Sequence, residues 1–280
     1  MKYLVCRKFK IALSKPLVMG VLNVTPDSFS DAGKYIKTHD AYKQALKMQA
    51  EGADIIDIGG ESSRPGAEEI SAGKEMDRVI PVLKKFIKKA RIPVSVDTKK
   101  SEVAREALRC GASIINDITG LTFDAQMKNV IAAYKAAVIL MHIKGSPRTM
   151  QNKPRYKNLI GEIRAALKNS INIAVSSGIN KNSIVIDPGI GFGKTVQHNL
   201  EIIDNIAGFK KLGYPVLIGV SRKSFMGRLL KLGIKDRLIP TVACNAIAIA
   251  NGANIIRVHD VKEAVWTKDI ISSIINSGSF

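Results

Sequence analysis

Polar residues recur in this 280-residue sequence at one kind of place, just beyond short apolar runs. Asn23 follows the first run, Glu61 and Arg64 come soon after the second, and Asp97 ends Val94-Ser95-Val96-Asp97. Asn116, His142 and Asp187 close later runs, Arg222 and Lys223 follow another, and Arg257 with His259 closes the last. Their chemistry divides in two. Asp97, Asn116 and Asp187 supply carboxylate acceptors and an amide that both donates and accepts, a set suited to the edge of an amino-pyrimidinone ring. Arg64, Lys223, Arg257 and His259 supply donors to an anion, with Arg able to grip phosphate oxygens in pairs. The ligand such a set suits is a polar heterocycle carrying phosphate. A lone Asp after a strand is more often a helix cap or turn former, and either Asp could instead pair with Lys223 or Arg257. A whole series of such residues calls for a common site.

A common site requires elements that bring distant residues to one surface. Runs rich in Val and Ile occupy residues 17–24, 55–58, 93–96, 114–116, 137–141, 183–186, 215–220 and 255–258. Between them lie segments with apolar residues three and four apart, such as 77–87 and 199–212, long enough for crossover helices. Alternation of this kind predicts βαβ units and a parallel sheet. Eight strands and about eight helices predict an α/β chain closed into a (β/α)₈ TIM barrel, in which the strand ends share one mouth. Gly52-Ala53-Asp54-Ile55-Ile56-Asp57, Gly111-Ala112-Ser113-Ile114-Ile115-Asn116 and Gly252-Ala253-Asn254-Ile255-Ile256-Arg257 repeat one pattern, a glycine stopping a helix before a buried strand. No linker rich in Pro, Gly or Ser divides the chain, so residues 1–280 are expected to form one domain. The basic segment 144–157 is longer than a usual strand-to-helix loop.

Composition narrows the function further. A net charge of +19 would suit nucleic acid, a membrane surface or a small anion. Aromatic residues make up only 5%, too few for a base-stacking platform, and Lys84-Lys85, Lys88-Lys89 and Lys99-Lys100 are expected on solvated helix faces. No long apolar segment or leader-like start occurs, so a soluble cytoplasmic protein is expected. Cys6, Cys110 and Cys244 lack pairing or zinc spacing, and so do His39, His142, His198 and His259. Gly189-Ile190-Gly191-Phe192-Gly193-Lys194 has neither the P-loop nor the dinucleotide-loop spacing.

The longer motifs resemble a known family. Met19-Gly20-Val21-Leu22-Asn23-Val24-Thr25-Pro26-Asp27-Ser28-Phe29-Ser30-Asp31 resembles the first signature of the dihydropteroate synthase family, and Gly59-Gly60-Glu61-Ser62-Ser63-Arg64-Pro65-Gly66 resembles the second. Val96-Asp97-Thr98, Ile115-Asn116-Asp117, Leu140-Met141-His142, the Ile186-to-Lys194 stretch, Ser221-Arg222-Lys223-Ser224 and Arg257-Val258-His259-Asp260 follow in family order, so the likeness spans about 17–260. It implies a barrel that joins 6-hydroxymethyl-7,8-dihydropterin diphosphate to 4-aminobenzoate in folate synthesis. By resemblance, Asp97, Asn116, Asp187 and Lys223 hold the pterin, with Met141, Phe192 and Gly219 lining its slot. Asn23 is implied as the protein ligand of Mg²⁺, and Ser63, Arg64, Arg257 and His259 as contacts of the diphosphate. Thr25, Pro26, Asp27, Ser28 and Phe29, with Ser63, Arg64, Pro65 and Ser224, are implied to shape the aminobenzoate site.

The implied chemistry is dissociative: diphosphate leaves, Asp97 steadies the cationic pterin methylene, and the neutral amine attacks without a protein nucleophile or strong base. Asp97, Lys223 and Arg257 carry that chemistry. Two departures from the family pattern stand out. Ser63 replaces the usual Thr, and Pro240-Thr241-Val242-Ala243 replaces a Gly- and Ser/Thr-rich helix start where the family's homodimers pack. Two rivals exist. A pterin-binding methyltransferase domain of corrinoid systems shares the barrel but has no use for the Ser62-Ser63-Arg64-Pro65 loop, and a nucleic-acid-binding protein leaves the polar series unexplained.

Overall fold

Short Val- and Ile-rich runs can bury both faces only in a sheet covered on each side. In the computed structural model, which describes residues 2–25 and 34–277, they do so as a barrel. The strands are β1 (Tyr3–Cys6), β2 (Phe9–Ala12), β3 (Leu17–Asn23), β4 (Ile55–Gly59), β5 (Val94–Asp97), β6 (Ile114–Asp117), β7 (Ala137–Met141), β8 (Ile184–Asp187), β9 (Leu217–Ile218) and β10 (Ile255–Val258). Eight of them pair in parallel in the order β8-β7-β6-β5-β4-β3-β10-β9. A parallel bridge between Ile186 and Val216 joins the two ends and closes the (β/α)₈ barrel. The predicted run 215–220 yields only the two-residue β9, because the chain turns beyond Ile218 and the Val220 carbonyl already accepts from the Lys223 amide at 3.1 Å.

The helices are α1 (Lys34–Ala50), α2 (Ala72–Phe86), α3 (Ser101–Arg109), α4 (Met127–Ala133), α5 (Leu159–Ser176), α6 (Val196–Asp204), α7 (Ile206–Lys210), α8 (Ser224–Leu230), α9 (Leu238–Ala250) and α10 (Val261–Ser277). In α2 the apolar stripe Val79, Ile80, Val82, Leu83 and Phe86 turns inward, and the Ser71 hydroxyl caps the start by accepting from the Lys74 amide. The segment 199–212, expected as one helix, divides at Asn205 into α6 and α7. There the Asn205 side chain donates to the Glu201 carbonyl at 2.9 Å.

Period-two alternation sorts the strand residues into two layers. Val18, Ile56, Val94, Val96, Ile115, Val138, Ile184 and Ile256 pack with the helices. Leu17, Met19, Ile55, Ile114, Ile139, Val185, Leu217 and Ile255 fill the barrel interior. The antiparallel hairpin β1–β2, which the sequence pattern did not predict, adds Leu4 and Cys6 to this interior cluster and plugs the end where the strands begin. Burial pushes the Cys6 thiol up to about 12, so it is an inert apolar filler.

Candidate active site

The alternation that buries the interior residues also aims the polar ones. Two steps along each strand from the filling layer, on the same face, stand Asp57, Asp97, Asn116, Met141, Asp187, Gly219 and Arg257, with Asn23 at the end of β3. Strand register completes the ring, because Asn23 lies beside Gly59, Gly59 beside Asp97, Asp97 beside Asn116, and Met141 beside Asp187. Residues far apart in sequence thus form one polar layer above an apolar floor, at the strand ends where barrel sites form.

Arg257 organises that layer. Its Nε donates to Asp57 Oδ2 and one Nη to Asp97 Oδ2, both at 2.7 Å, and Asn116 Nδ2 donates to the same Asp57 oxygen at 3.1 Å. Asp57 is completely buried and its other oxygen has no hydrogen-bond partner among the described residues. It belongs to the site although no motif in the sequence singled it out. The available signal was an acidic residue at interior parity within Ile55-Ile56-Asp57-Ile58. Burial lifts the Asp97 carboxyl to about 7, against the opposing Arg257 charge. The alternative pairing of Asp97 with Arg257 thus exists within the site, and a ligand donor reaching Asp97 would share it with the guanidinium.

Across the mouth, Asp187 accepts from the Gly189 amide at 2.7 Å. Lys223 donates to the Ile190 carbonyl and stands 4.7 Å from the centre of the Phe192 ring. Burial draws the Lys223 ammonium down to about 8, with Asp187 resisting. Gly219 borders the same slot: a methyl group there would meet Arg257 Cβ at 3.7 Å and Lys223 Nζ at 4.0 Å, ordinary contacts that would narrow the slot without a clash. The glycine-rich loop closes the slot's other side. Gly189 has φ +73°, and any side chain would run into the His142 carbonyl. Lys194, almost wholly buried, lies 3.0 Å from His142 Nδ1 and donates to the Phe192 carbonyl at 2.9 Å. These contacts tie His142 to the loop that carries Phe192.

The anion-facing residues separate into exposed and engaged. Arg64 and Pro65 are exposed on the loop after β4. The charge of Arg64 nonetheless reaches His259, whose imidazole is drawn down to about 4 by burial, then Arg257. His259 Nδ1 lies 3.0 Å from the Ser221 hydroxyl. Arg222, expected from the sequence at the mouth, is instead committed to a two-pronged pair with Asp260 at 2.7 and 2.8 Å. Its backbone stands in the left-handed region at φ 54°, immediately before Lys223, and its amide donates to the Thr241 hydroxyl at 3.0 Å. A cleft of about 390 Å³ opens beside Asp97 and is lined by Ser62, Ser63, Thr98, Lys99, Ile118 and Arg148 among others. Thr25 is buried near the end of β3, and Ser224 is the exposed first residue of α8. Pro26, Asp27, Ser28 and Phe29 lie outside the described residues.

Among the described residues no three His, Cys, Asp or Glu side chains form a metal cage. A cation here would take most ligands from substrate and water, as Mg²⁺ does beside phosphates. Asn23 fits that role: a methyl group on Gly59 would sit 3.6 Å from Asn23 Oδ1 and 4.0 Å from Asp97 Oδ2, so glycine leaves room between two hard oxygens.

Fold and site together define an α/β barrel whose mouth holds a slot of carboxylates, an amide and a lysine beside a basic rim. The family model described as pterin binding enzyme matches residues 19–259. The dihydropteroate synthase of Synechocystis sp. is 47% identical over 246 residues, 88% of this chain and 85% of the relative. The structure resembles Yersinia pestis dihydropteroate synthase with a sulfonamide drug complex at TM-score 0.93 and 42% identity, over 98% of this chain and 99% of that one. It also resembles Xanthomonas albilineans dihydropteroate synthase in complex with 7,8-dihydropteroate, at TM-score 0.88 and 35% identity over 98% of each chain. The chain belongs to the pterin-binding enzymes, and among them to the dihydropteroate synthases.

Proposed function

We propose that this transferase joins the pterin methylene carbon, supplied as the 6-hydroxymethyl-7,8-dihydropterin diphosphate ester, to the 4-aminobenzoate amine, giving 7,8-dihydropteroate and diphosphate. The observation that carries the reading is the polar layer itself. Asp97, Asn116 and Asp187 present acceptors and an amide at one depth, with Lys223 and Phe192 closing the slot. The pterin edge donates to the carboxylates and accepts from Asn116 and Lys223, while Met141 and Phe192 cover its faces. This places the methylene and its diphosphate toward Arg257, His259, Ser63 and Arg64.

As the C–O bond lengthens, its electron pair leaves with the diphosphate and positive charge spreads into the pterin. Asp97 stabilises that charge, and Arg257 and the rim donors stabilise the leaving group. Mg²⁺ held by Asn23 would neutralise further diphosphate charge. The amine lone pair forms the new C–N bond, and the surplus proton passes to water, so no side chain need be nucleophile or strong base. Thr25, Ser63, Arg64, Pro65 and Ser224 would border the aminobenzoate, with Arg64 near its carboxylate. We assign the protein to the cytoplasm as a homodimer. The deciding experiment combines pure protein, Mg²⁺ and both substrates. Dihydropteroate is expected only when all are present, and a folded protein that yields none overturns the assignment.

A further inference from the structure

Lys99 and Lys100 were expected on a solvated helix face, yet both are buried. Lys100 Nζ donates at 2.6 Å to Glu61 Oε2 and at 2.6 Å to Glu75 Oε2. Glu61 belongs to the loop after β4, and Glu75 is a fully buried residue in the first turn of α2. Burying three charges is a costly way to hold a fold together, because apolar residues of similar volume would do as well. What the cluster supplies is direction. Glu61 Oε1 also accepts from the Ile70 amide at 3.1 Å, so a single side chain joins both ends of the loop 61–70. Arg78 donates to the Gly60 carbonyl at 2.8 Å, and Lys99 pairs with Glu69 at 3.2 Å.

The loop's base is therefore held at Gly60, Glu61, Glu69 and Ile70, and its tip carries Ser62, Ser63, Arg64 and Pro65. Lys99 and Lys100 follow Asp97 by two and three residues, so the segment that starts with the pterin-reading carboxylate ends in the two cations gripping this loop. The 390 Å³ cleft lies between the two walls, with Ser63 on one and Asp97 on the other. We propose that Lys100, acting through Glu61 and Glu75, is a positioning residue that fixes the loop 61–70 relative to Asp97 and so sets the enzyme's affinity for the aminobenzoate substrate. Burial opposes the Lys100 charge, but the two carboxylates outweigh it and hold the ammonium above its ordinary range.

The inference rests on the dihydropteroate-forming reading, and its test separates the two. Glu61→Gln keeps an acceptor for the Ile70 amide but removes the charge that Lys100 grips; Lys100→Met removes the grip, and Lys100→Arg keeps the cation. Each variant is checked for folding by thermal melting, for binding of 6-hydroxymethyl-7,8-dihydropterin, which lacks the diphosphate that Ser63 and Arg64 face, and for kcat and the aminobenzoate KM. Glu61→Gln and Lys100→Met should bind this diphosphate-free pterin as the parent does. Their aminobenzoate KM should rise by about ten- to a hundredfold, the scale of a small misplacement of binding groups, and Lys100→Arg should recover part of it. An unchanged KM in folded variants, or pterin binding that weakens in step with KM, overturns the proposal. If Lys100→Met does not fold, Glu61→Gln decides alone. A parent enzyme that makes no dihydropteroate overturns the functional reading and this proposal together, whereas product from the parent with unchanged variants overturns this proposal alone.

Discussion

Asp97 and Lys223 face one another across the slot with charges that burial disfavours in opposite directions. Burial raises the Asp97 carboxyl to about 7, so the carboxylate proposed to steady the pterin cation is lost as pH falls through that value. Burial lowers the Lys223 ammonium to about 8, so the cation is lost as pH rises past it. The expected outcome is a narrow bell in kcat/KM for the pterin diphosphate, with limbs near these two values, since that parameter reports the free enzyme. Asp97→Asn should erase the acid limb and lower kcat/KM on the order of a hundredfold. It should not lower the melting temperature above neutral pH. An acid whose folded pKa exceeds its unfolded value loses folding stability as pH rises through that window, and the amide avoids that loss. A pH series of kcat/KM with melting curves for both proteins checks this, and a retained acid limb in Asp97→Asn would remove the residue from its role.

The loop following β8 shows how an element imposes a site on its residues. Its glycines let the chain fold against the His142 carbonyl and the Lys223 stem, which turns Ile190 and Phe192 toward the ammonium. Gly189→Ala would force a methyl into His142 and hold a non-glycine residue at positive φ, a strain of about 1–3 kcal/mol before any clash. It should lower the melting temperature and weaken pterin binding, because the Gly189 amide that orients Asp187 would shift. Calorimetry with a pterin titration tests this, and a variant matching the parent in both would sink it. At this scale the sequence was informative wherever a local rule applied. Apolar runs ended in Asp97, Asn116 and Asp187 because period-two pairing carries parity from the floor to the mouth. The hairpin β1–β2 escaped notice because its strands are only four residues long, with charged Lys10 inside one of them, and their apolar residues find a core only in the closed barrel. The engagement of Arg222 with Asp260, and of Lys100 with Glu61, escaped for the same reason, since both pairings depend on which strand ends become neighbours.

The whole molecule separates its surfaces by end and by side. The hairpin seals the end where the strands begin, and the opposite end carries the polar layer, where part of the +19 charge is proposed to draw small anions. One flank remains apolar. On α9, Ile239, Ala243, Ile247 and Ala250 recur at helical spacing and are exposed, with Ile239 at 80%. On the adjoining α10, Trp266, Ile270 and Ile274 form a second exposed stripe. Pro240, which opens the stretch Pro240-Thr241-Val242-Ala243 set against the family resemblance, occupies the first turn of α9, where its missing N–H goes unneeded. Two adjacent apolar stripes exceed what a monomer ordinarily leaves in water. A two-fold pairing would bury each against its copy, and the mouths, lying at the strand ends, would stay open. The parent should therefore run as a dimer in light scattering coupled to gel filtration. Ile247→Lys with Ile270→Lys, placing like charges face to face across such an interface, should shift it to monomer while leaving the barrel folded. A parent that is monomeric at micromolar concentration, or a double variant that remains dimeric, would exclude this flank as the interface.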